Sequence, residues 1–399
     1  MSSSSSVLSP RERTRIALRG GTADRVPFTV YWLMFPRGEA ERRLRNAGVT
    51  IVERVPLFTV EYLRTELLTR EYREDGELVQ RRELRTPVGT VWSEHRREQG
   101  YRTSWWRTAH FVKSPSDYDV LEYVLNNRVY RPDYEEYLLA ERRWGEDGYV
   151  IGNTEYSPMN MLIYEFLGIE RFSLDLADRP ERVLGLYDIL RERQRQMFQI
   201  CADSPAELVL FCGNISQEVV GVERFRRYYL PCLDELAGLL HQRDKLLGCH
   251  LDARMASLVE AVGGSDLDVI EAFTPGPTGD VSVAAAREAW PGKVLWLNFP
   301  SSVHLEGEAR IRQELRRILH QASPGDRFLI GITEDVPEEI WRRSFEVINR
   351  GLRRYGRLPL PGGDGEKVLS AGTRSSTNLG RQRRARKGDG SAPDANRHG

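Results

Sequence analysis

The segment His250-Leu251-Asp252 carries residue types and a spacing that suit chemistry. Residues i and i+2 of a strand project to the same face, so the imidazole and the carboxylate would point into one volume. With Glu334 from another strand end, one imidazole and two carboxylates form a donor set compatible with zinc and other divalent ions. We predict His250, Asp252 and Glu334 as catalytic residues and as ligands of a divalent metal such as zinc. A metal-free acid/base pair, or a plain hydrogen bond, is the alternative at this spacing.

Other polar residues close neighbouring predicted strands. Glu155 follows a strand near residue 149, Asn214 ends a strand that begins at 207, and Asn298 ends a strand that begins at 293. In a barrel of parallel strands the active site lies at the carboxyl ends of the strands. We therefore predict that Glu155, Asn214 and Asn298 position a substrate.

The elements that must hold these residues alternate along the chain. Short β-branched or apolar runs predict strands at 26–32, 149–153, 207–214, 245–252, 266–274, 293–299 and 327–333. Helical periodicity marks 181–202, 222–243, 254–263, 281–289, 307–321 and 337–355. Repeated strand-helix units predict an α/β fold with a parallel sheet covered by helices, and their number favours a (β/α)8 TIM barrel over an open sheet. No GxGxxG or GxxxxGK[ST] loop supports a nucleotide-binding fold.

Residues 71–95 interrupt this alternation. Asp75-Gly76 and Pro87-Val88-Gly89 separate alternating runs, which predicts an antiparallel hairpin or meander inserted beside the barrel mouth. Its role, a stabilising flap or a lid over substrate, stays open. The ends of the chain are rich in Ser, Gly, Asn and Arg, so residues 1–8 and a basic tail at 361–399 are expected to be disordered around a folded domain at 9–360.

Composition excludes some classes of protein. The 399 residues hold 58 basic and 58 acidic side chains, and the part before residue 364 holds fifty basic and fifty-four acidic ones. This balance gives no global field for nucleic acid or an anionic membrane, so we expect neither as a partner. No apolar stretch suits a membrane helix and the first residues do not resemble a signal peptide, so a cytoplasmic location is expected. The four cysteines form no CxxC pair and are expected to be free thiols.

The order of these features resembles the uroporphyrinogen decarboxylase superfamily, which includes the decarboxylase and methyltransferases that serve corrinoid proteins and coenzyme M. The resemblance spans residues 9–360. It rests on short segments in a fixed order: 9–13 with 24–27 (Asp-Arg-Val-Pro), 157–158 with 167–170, 225–231 (FRRYYLP), 248–252, and 336–338 leading to 355–357. No single segment is specific, but their order and spacing together imply a (β/α)8 barrel.

Two departures from the family pattern bear on function. The decarboxylases carry an arginine-rich loop after the first strand, whereas here Tyr31 and Trp32 are followed by Arg37 alone. A tetrapyrrole polycarboxylate needs several fork-shaped donors, so this substrate is disfavoured. The coenzyme M methyltransferases hold zinc with His-x-Cys and a later Cys. Here Asp252 replaces the first cysteine and the region of Glu334 has none, which argues against coenzyme M as the acceptor.

The resemblance therefore implies a methyltransferase-like enzyme that acts on a small methylated substrate, methoxy or amine. Its acceptor would be a corrinoid carried by a partner protein. Tyr31 and Trp32 would line an apolar wall of the site, and Arg37 would bind substrate. A decarboxylase acting on a carboxylate smaller than uroporphyrinogen is the alternative, and an inactive ligand-binding barrel is the third. Whether the chain forms a homo-oligomer stays open.

Overall fold

The computed structural model describes residues 8–97, 105–252 and 254–361. The predicted disorder of residues 1–8 and 361–399 lies almost wholly outside the described residues. The strands in the described part are β1 (Phe28–Tyr31), β2 (Thr50–Pro56), β3 (Phe58–Tyr62), β4 (Glu66–Glu74), β5 (Glu77–Thr86), β6 (Gly89–Arg97), β7 (Trp105–Ala109), β8 (Arg128–Pro132), β9 (Gly148–Tyr156), β10 (Leu208–Cys212), β11 (Leu246–His250), β12 (Val269–Phe273), β13 (Val294–Asn298) and β14 (Phe328–Ile332).

Helices connect and cover these strands. They are α1 (Pro10–Leu18), α2 (Glu39–Asn46), α3 (Asp117–Asn126), α4 (Glu135–Trp144), α5 (Pro158–Asn160), α6 (Ile169–Asp178), α7 (Pro180–Asp203), α8 (Gln217–Val220), α9 (Val222–Arg224), α10 (Leu230–His241), α11 (Val259–Gly263), α12 (Val283–Ala289), α13 (Ser301–His304), α14 (Glu308–Gln321) and α15 (Trp341–Tyr355). Short π-helical segments follow α5 (Met161–Leu167) and α9 (Phe225–Tyr229). Among the described helices, none combines the length and the apolar character that crossing a bilayer requires.

Eight strands close into a barrel in the order β1-β14-β13-β12-β11-β10-β9-β2. Each of their pairings is parallel. The predicted (β/α)8 TIM barrel is thus confirmed, and all seven predicted strands belong to it. Because the strands are parallel, their carboxyl ends meet at one mouth, which is where the chain places its polar strand-end residues.

The eighth barrel strand, β2, was missed at the sequence level. Its sequence TIVERVP places Glu53 and Arg54 in the middle of an otherwise apolar run. The two side chains point to opposite faces, as neighbours on a strand do. Glu53 is buried outside the barrel, where Arg143 and the indole of Trp144 donate to it, while Arg54 points to the mouth. A strand with a charge on each face does not produce the apolar signature on which the prediction depended.

The antiparallel insertion is confirmed and is larger than predicted. β4 to β7 form a four-stranded sheet, and β3 pairs with β8 in a separate antiparallel ribbon. The turn between β4 and β5 is Asp75-Gly76, with φ of 50° and 83°. Two successive positive φ values are typical of the two-residue turn whose twist matches that of a hairpin. The prediction at 71–95 therefore covered the end of β4, all of β5 and most of β6, and it left out the start of β4 and all of β7.

The interior of the barrel is packed with side chains. Val52, Ile151, Leu210, Trp296 and Leu329 are buried there in one apolar cluster. Other members of the same cluster come from α1, which contributes Ala17 and Leu18 at the amino ends of the strands. The barrel is therefore a filled core, as is typical of this fold.

Candidate active site

A cavity of about 670 Å³ opens at the carboxyl ends of the barrel strands. This volume is in the range typical of small-molecule sites. Its floor consists of residues that end or follow the barrel strands: Arg54, Asn153, Thr154, Glu155, Tyr156, Cys212, Gly213, Asn214, His250 and Thr333. Its walls come from the antiparallel strands and the segments beside them: Val60, Tyr62, Leu67, Arg82, Leu84, Phe111, Arg128, Met161, Glu165 and Phe166.

The polar floor follows from the two-residue period of the strands. Every second residue of a barrel strand points inward, so the inward position next to the apolar layer lies two residues further towards the carboxyl end. In β1 and β2 these positions are Tyr31 and Arg54, and in β11 and β12 they are His250 and Glu271. The register pairs His250 directly with Glu271 across neighbouring strands. Polar side chains are therefore stacked directly above the apolar core.

The centre of the floor is a hydrogen-bonded array. Nδ1 of His250 lies 2.6 Å from Oε2 of Glu271, and the hydroxyl of Tyr31 donates to Oε1 of the same carboxylate at 2.5 Å. Nε2 of His250 lies 3.7 Å from Oδ2 of Asp252. That distance is an ion-pair distance and too long for a hydrogen bond. By this geometry Nε2 of His250 donates no hydrogen bond to the described residues and has the Asp252 carboxylate beside it, and His250 lines the cavity.

The array fixes the charge of His250. Burial lowers the pKa of the imidazole, but the Glu271 charge, together with Asp252, outweighs it and raises the pKa to about 10. Glu271 is fully buried. Burial raises the pKa of its carboxyl, and the opposing effects of His250, Arg54 and Tyr31 leave it lowered. At neutral pH the pair is thus an imidazolium and a carboxylate, and both ring nitrogens of His250 carry protons.

Arg54 lies beside this pair with its donors open. Its guanidinium stands 4.6 Å from the centre of the Tyr31 ring. Burial lowers its pKa, but Tyr31, Glu271 and neighbouring groups leave it raised, so the cation is secure. Neither the guanidinium of Arg54 nor that of Arg82, also in the cavity wall, donates a hydrogen bond to any residue within the described ranges. Two guanidiniums in one cavity without hydrogen-bonded partners favour an anionic ligand.

Further polar atoms at the mouth lack a hydrogen-bonding partner in the described residues. They are Oδ1 of Asn153, Oγ1 of Thr333 and Nδ2 of Asn298. Asn298 is almost fully buried, and its Oδ1 accepts from the backbone N–H of Thr333 at 3.1 Å. Buried polar groups are normally satisfied, so open ones at a cavity are available to a ligand.

A second ionic cluster forms one side of the cavity. Glu155 accepts from both terminal nitrogens of Arg128, from the hydroxyl of Tyr130 and from Nε2 of Gln194. Arg128 is 4% exposed. The Glu155 carboxylate is therefore saturated by protein donors. It lies in the predicted place, and its contacts make it a structural counter-ion of a buried arginine.

The antiparallel sheet supplies the outer wall of the cavity. Leu67 of β4 and Leu84 with Arg82 of β5 face it, opposite Phe111 and Phe166. Arg107 of β7 binds the sheet to the barrel, because it donates to the backbone oxygen of Glu165 and forms an ion pair with its carboxylate. The inserted sheet is therefore a fixed part of the site and gives it an apolar side.

Cys212 also lies at the floor. Burial, partly offset by Arg54, raises the pKa of its thiol to about 12. It is therefore a neutral thiol, which is a poor nucleophile and a poor metal ligand. Cys212 is a free thiol, as expected from the sequence.

The predicted site residues divide into two groups. The structure brings His250, Asp252 and Tyr31 together at the floor and places Glu155 and Asn214 in the cavity lining. Asn298 lies beneath Thr333 at the same mouth.

The structure does not bring Trp32 and Arg37 to the cavity. β1 ends at Tyr31, and Trp32 in the following turn does not line the cavity; its ring centre lies 5.8 Å from the guanidinium of Arg37. Arg37 lies 4.7 Å from the ring centre of Trp144 and 3.6 Å from Glu41, on the outside of the barrel. Their predicted roles as an apolar wall and a substrate-binding cation have no support in this geometry.

Glu334 is likewise separate from the His250 array. Its carboxylate accepts from the hydroxyl of Ser301 at the start of α13. Nowhere in the described residues do three or more His, Cys, Asp or Glu side chains form a group that could hold a metal ion. His250 and its neighbours offer too few ligands for a metal as well, because Nδ1 of His250 is bound to Glu271 and only Asp252 lies beside Nε2.

Sequence reasoning did not assign a role to Glu271, Arg54 or Arg128. Glu271 was visible as an acid inside a predicted apolar strand, which is itself a signal, since a carboxylate is rarely buried without a partner. Arg54 would have been identified together with β2. Arg128 lies on β8 outside the barrel, and its pairing with Glu155 depends on tertiary structure alone.

No family model matches this chain, and no curated protein matches it. Among solved structures, a methyltransferase from Methanosarcina mazei superposes with a TM-score of 0.54 and 11% sequence identity, over 87% of this chain and 99% of that one. The GH18 chitinase ChiB of Flavobacterium johnsoniae gives a TM-score of 0.32 at 14% identity, over 57% and 82% of the two chains, too low to support an argument. At 11% identity the likeness shows a common architecture. This chain has the overall fold of the Methanosarcina mazei methyltransferase.

Proposed function

We propose that this protein is a methyltransferase-like enzyme that removes a methyl group from a small methoxy substrate. The observation that carries the proposal is the array of His250 between Glu271 and Asp252, which points an imidazolium N–H into a closed-bottomed cavity. The shared fold with a methyltransferase supports the same class of reaction.

The reaction needs an acid at the oxygen that loses the methyl group. The carbon–oxygen bond breaks, its electron pair stays on the oxygen, and the methyl carbon bonds to the acceptor. The developing oxyanion then takes the Nε2 proton of His250, while Glu271 holds the remaining imidazole by Nδ1. An acid with a pKa of about 10 suits an aryl or similarly acidic hydroxyl as leaving group, because a phenol such as that of tyrosine has a pKa of about 10.

The guanidiniums without hydrogen-bonding partners indicate that the substrate also carries an anionic group. Arg54, beside the array, would bind a carboxylate through its two parallel N–H donors. Leu67, Leu84 and Phe111 offer an apolar surface to the body of the molecule. The substrate class is therefore a small methoxy acid with an apolar body.

The methyl acceptor is proposed to come from outside the chain. A corrinoid carried by a partner protein would supply it, in keeping with the sequence resemblance. A corrinoid ring is large beside a cavity of about 670 Å³ that also holds substrate, so the partner would have to present it at the mouth. The residues of this chain bind and orient the substrate and donate the proton.

Decarboxylation of a small acid is the second candidate, and Arg54 is the observation that favours it. A carboxylate held by Arg54 lies next to the imidazolium of His250, which could protonate the carbanion left when carbon dioxide departs. The two reactions use the same groups and differ in which bond breaks.

One experiment separates them. The purified protein is incubated with a panel of methoxy acids and free reduced cobalamin, and products are identified by mass spectrometry while released carbon dioxide is measured. The proposal expects methylcobalamin and the hydroxy acid in equal amounts, with no carbon dioxide. Carbon dioxide without methyl transfer would establish the decarboxylase instead. His250→Gln is the matched control, since it retains the cavity and removes the acid.

A further inference from the structure

A second cavity, of about 320 Å³, lies at the opposite end of the barrel from the His250 array. Its lining comes from α1, from the segments that lead into β1, β2 and β9, and from α15. Four arginines and one acid line it: Arg13, Arg25, Arg45, Arg353 and Asp147. The catalytic proposal makes no use of this cavity.

Two of the four guanidiniums have their charge matched by hydrogen-bonded acids. Arg13 donates through Nε at 2.6 Å and through Nη2 at 3.0 Å to Asp24. Arg45 donates to Asp147 at 3.0 Å. Arg45 is matched further, because its Nε lies 3.0 Å from the carboxylate of Glu41. Nη1 of Arg13, a residue that is 1% exposed, has no hydrogen-bonding partner in the described residues.

The other two guanidiniums are open. Arg25 reaches no acid closer than 3.9 Å, at Asp24, and donates no side-chain hydrogen bond within the described ranges. The guanidinium of Arg353 forms neither an ion pair nor a hydrogen bond with any described residue. Burial and the nearby charges of Arg13 and Arg353 lower the pKa of Arg25, so these cations repel one another across the cavity.

The backbone also brings the cations close together. Gly48 lines the cavity with φ of +92°, and a Cβ on it would lie 2.4 Å from Nη2 of Arg25 and 3.6 Å from Nη1 of Arg13. A glycine is therefore needed for the loop to pass against both guanidiniums. The fold thus holds like-charged guanidiniums close together around a cavity, although their repulsion favours moving them apart.

We propose that this cavity is a binding site for a phosphate-type oxyanion, either free phosphate or the phosphate group of a small metabolite. Planar guanidinium forks match phosphate oxygens in pairs, and several forks around one space suit a tetrahedral dianion. The cavity has room for a phosphate and a small body attached to it. The bound anion would connect the starts of β1 and β2 to α15. The same two strands carry Tyr31 and Arg54 at their other ends.

The test is calorimetric titration of the full-length protein with inorganic phosphate, with glycerol 3-phosphate and with glycerol at constant ionic strength. We expect saturable one-to-one binding of the two phosphates and none of glycerol. Arg353→Ala, an exposed position, should weaken that binding about tenfold or more, because a hydrogen bond to a charged group is lost. Tighter binding of the ester than of phosphate identifies a metabolite as the source, and equal binding identifies free phosphate.

The matched control is Arg354→Ala on the same helix. Arg354 lies 5.1 Å from the ring centre of Tyr355 and does not line the cavity, so its loss should leave binding within about twofold. In phosphate-free buffer, Arg353→Ala should melt at the same temperature as the parent or higher, since it removes a repelling charge. Absence of saturation up to 10 mM phosphate, at about the weak end of specific affinity, or equal binding by parent and Arg353→Ala, overturns the proposal. Both results are independent of the catalytic activity.

Discussion

Oε2 of Glu271 lies 2.6 Å from Nδ1 of His250, with no solvent exposure of the carboxylate. At this distance the buried carboxylate and the imidazole form an ion pair. The negative charge of Glu271 keeps the His250 ring protonated, so Nε2 at the cavity carries a proton. The relationship depends on the register of β11 against β12, which places the two residues directly opposite each other. Chemistry at this site therefore depends on a residue that does not itself line the cavity.

Glu271→Gln should abolish the permanent charge of His250. The amide still accepts from Nδ1 but no longer attracts the imidazolium, so the pKa of His250 should fall from about 10 towards or below its ordinary value of 6.5. We expect turnover to fall about 100-fold or more while the substrate KM changes less, as for loss of a general acid. NMR titration of His250 in parent and variant measures the shift. An unchanged pKa would falsify the assigned role of Glu271.

The same pair predicts how stability depends on pH. The raised pKa of His250 gives a contribution that is complete below about 6.5 and is lost as pH rises through about 10. The lowered pKa of Glu271 gives one that is complete above about 4.5 and is lost as pH falls through its folded-state pKa. The contribution of the pair, counted once, is therefore complete between pH 4.5 and 6.5.

Urea unfolding of the parent and of His250→Gln measures this dependence. The difference in free energy of unfolding should be largest near pH 5.5 and should shrink steadily from pH 7 to pH 10. A difference that is constant over this range would contradict the assigned charge state.

Much of the barrel could be predicted because its strands are fully buried and therefore read as short apolar runs. The exception is β2, in which Arg54 points inward and Glu53 outward. Two charged residues among seven interrupt the apolar run by which a buried strand is recognised. The carboxyl-end rule predicted that His250 and Asp252 lie at the carboxyl end of a barrel strand, and they are the last residue of β11 and the second residue after it. It could not identify Glu271 as their partner, because that requires the register between two strands.

Other parts of the site depended on contacts that spacing does not encode. Trp32 and Arg37 follow β1 so closely that they were expected at the mouth, but neither lines the cavity. Glu155 was expected to be open to substrate, and its saturation depends on Arg128, which comes from an inserted strand. Side chains of inserted strands can pair with residues of the barrel, and sequence spacing does not predict such pairs.

Arg54→Lys should weaken the binding of an anionic substrate without removing the cation. Lysine keeps the charge but lacks the planar pair of donors, so KM should rise about tenfold or more with a smaller effect on kcat. Arg37→Lys is the matched control: it lies on the outside of the barrel and should leave both constants unchanged. Steady-state kinetics with an acid and with its neutral amide provide the measurement. If the amide is used as well as the acid by the parent, Arg54 is not the carboxylate anchor.

Glu155→Gln should lower the free energy of unfolding more than it affects catalysis. Arg128 is buried, and removal of its counter-ion leaves an uncompensated guanidinium, which costs about 3–5 kcal/mol in comparable buried pairs. Arg128→Met with Glu155→Gln, which removes both charges, should recover much of that loss because no buried charge is left unpaired. Urea unfolding of the two variants and the parent gives the comparison. If Glu155→Gln instead unfolds at the parent's midpoint and only raises KM, the carboxylate binds substrate as the sequence suggested, and its contacts with Arg128, Tyr130 and Gln194 contribute little to the fold.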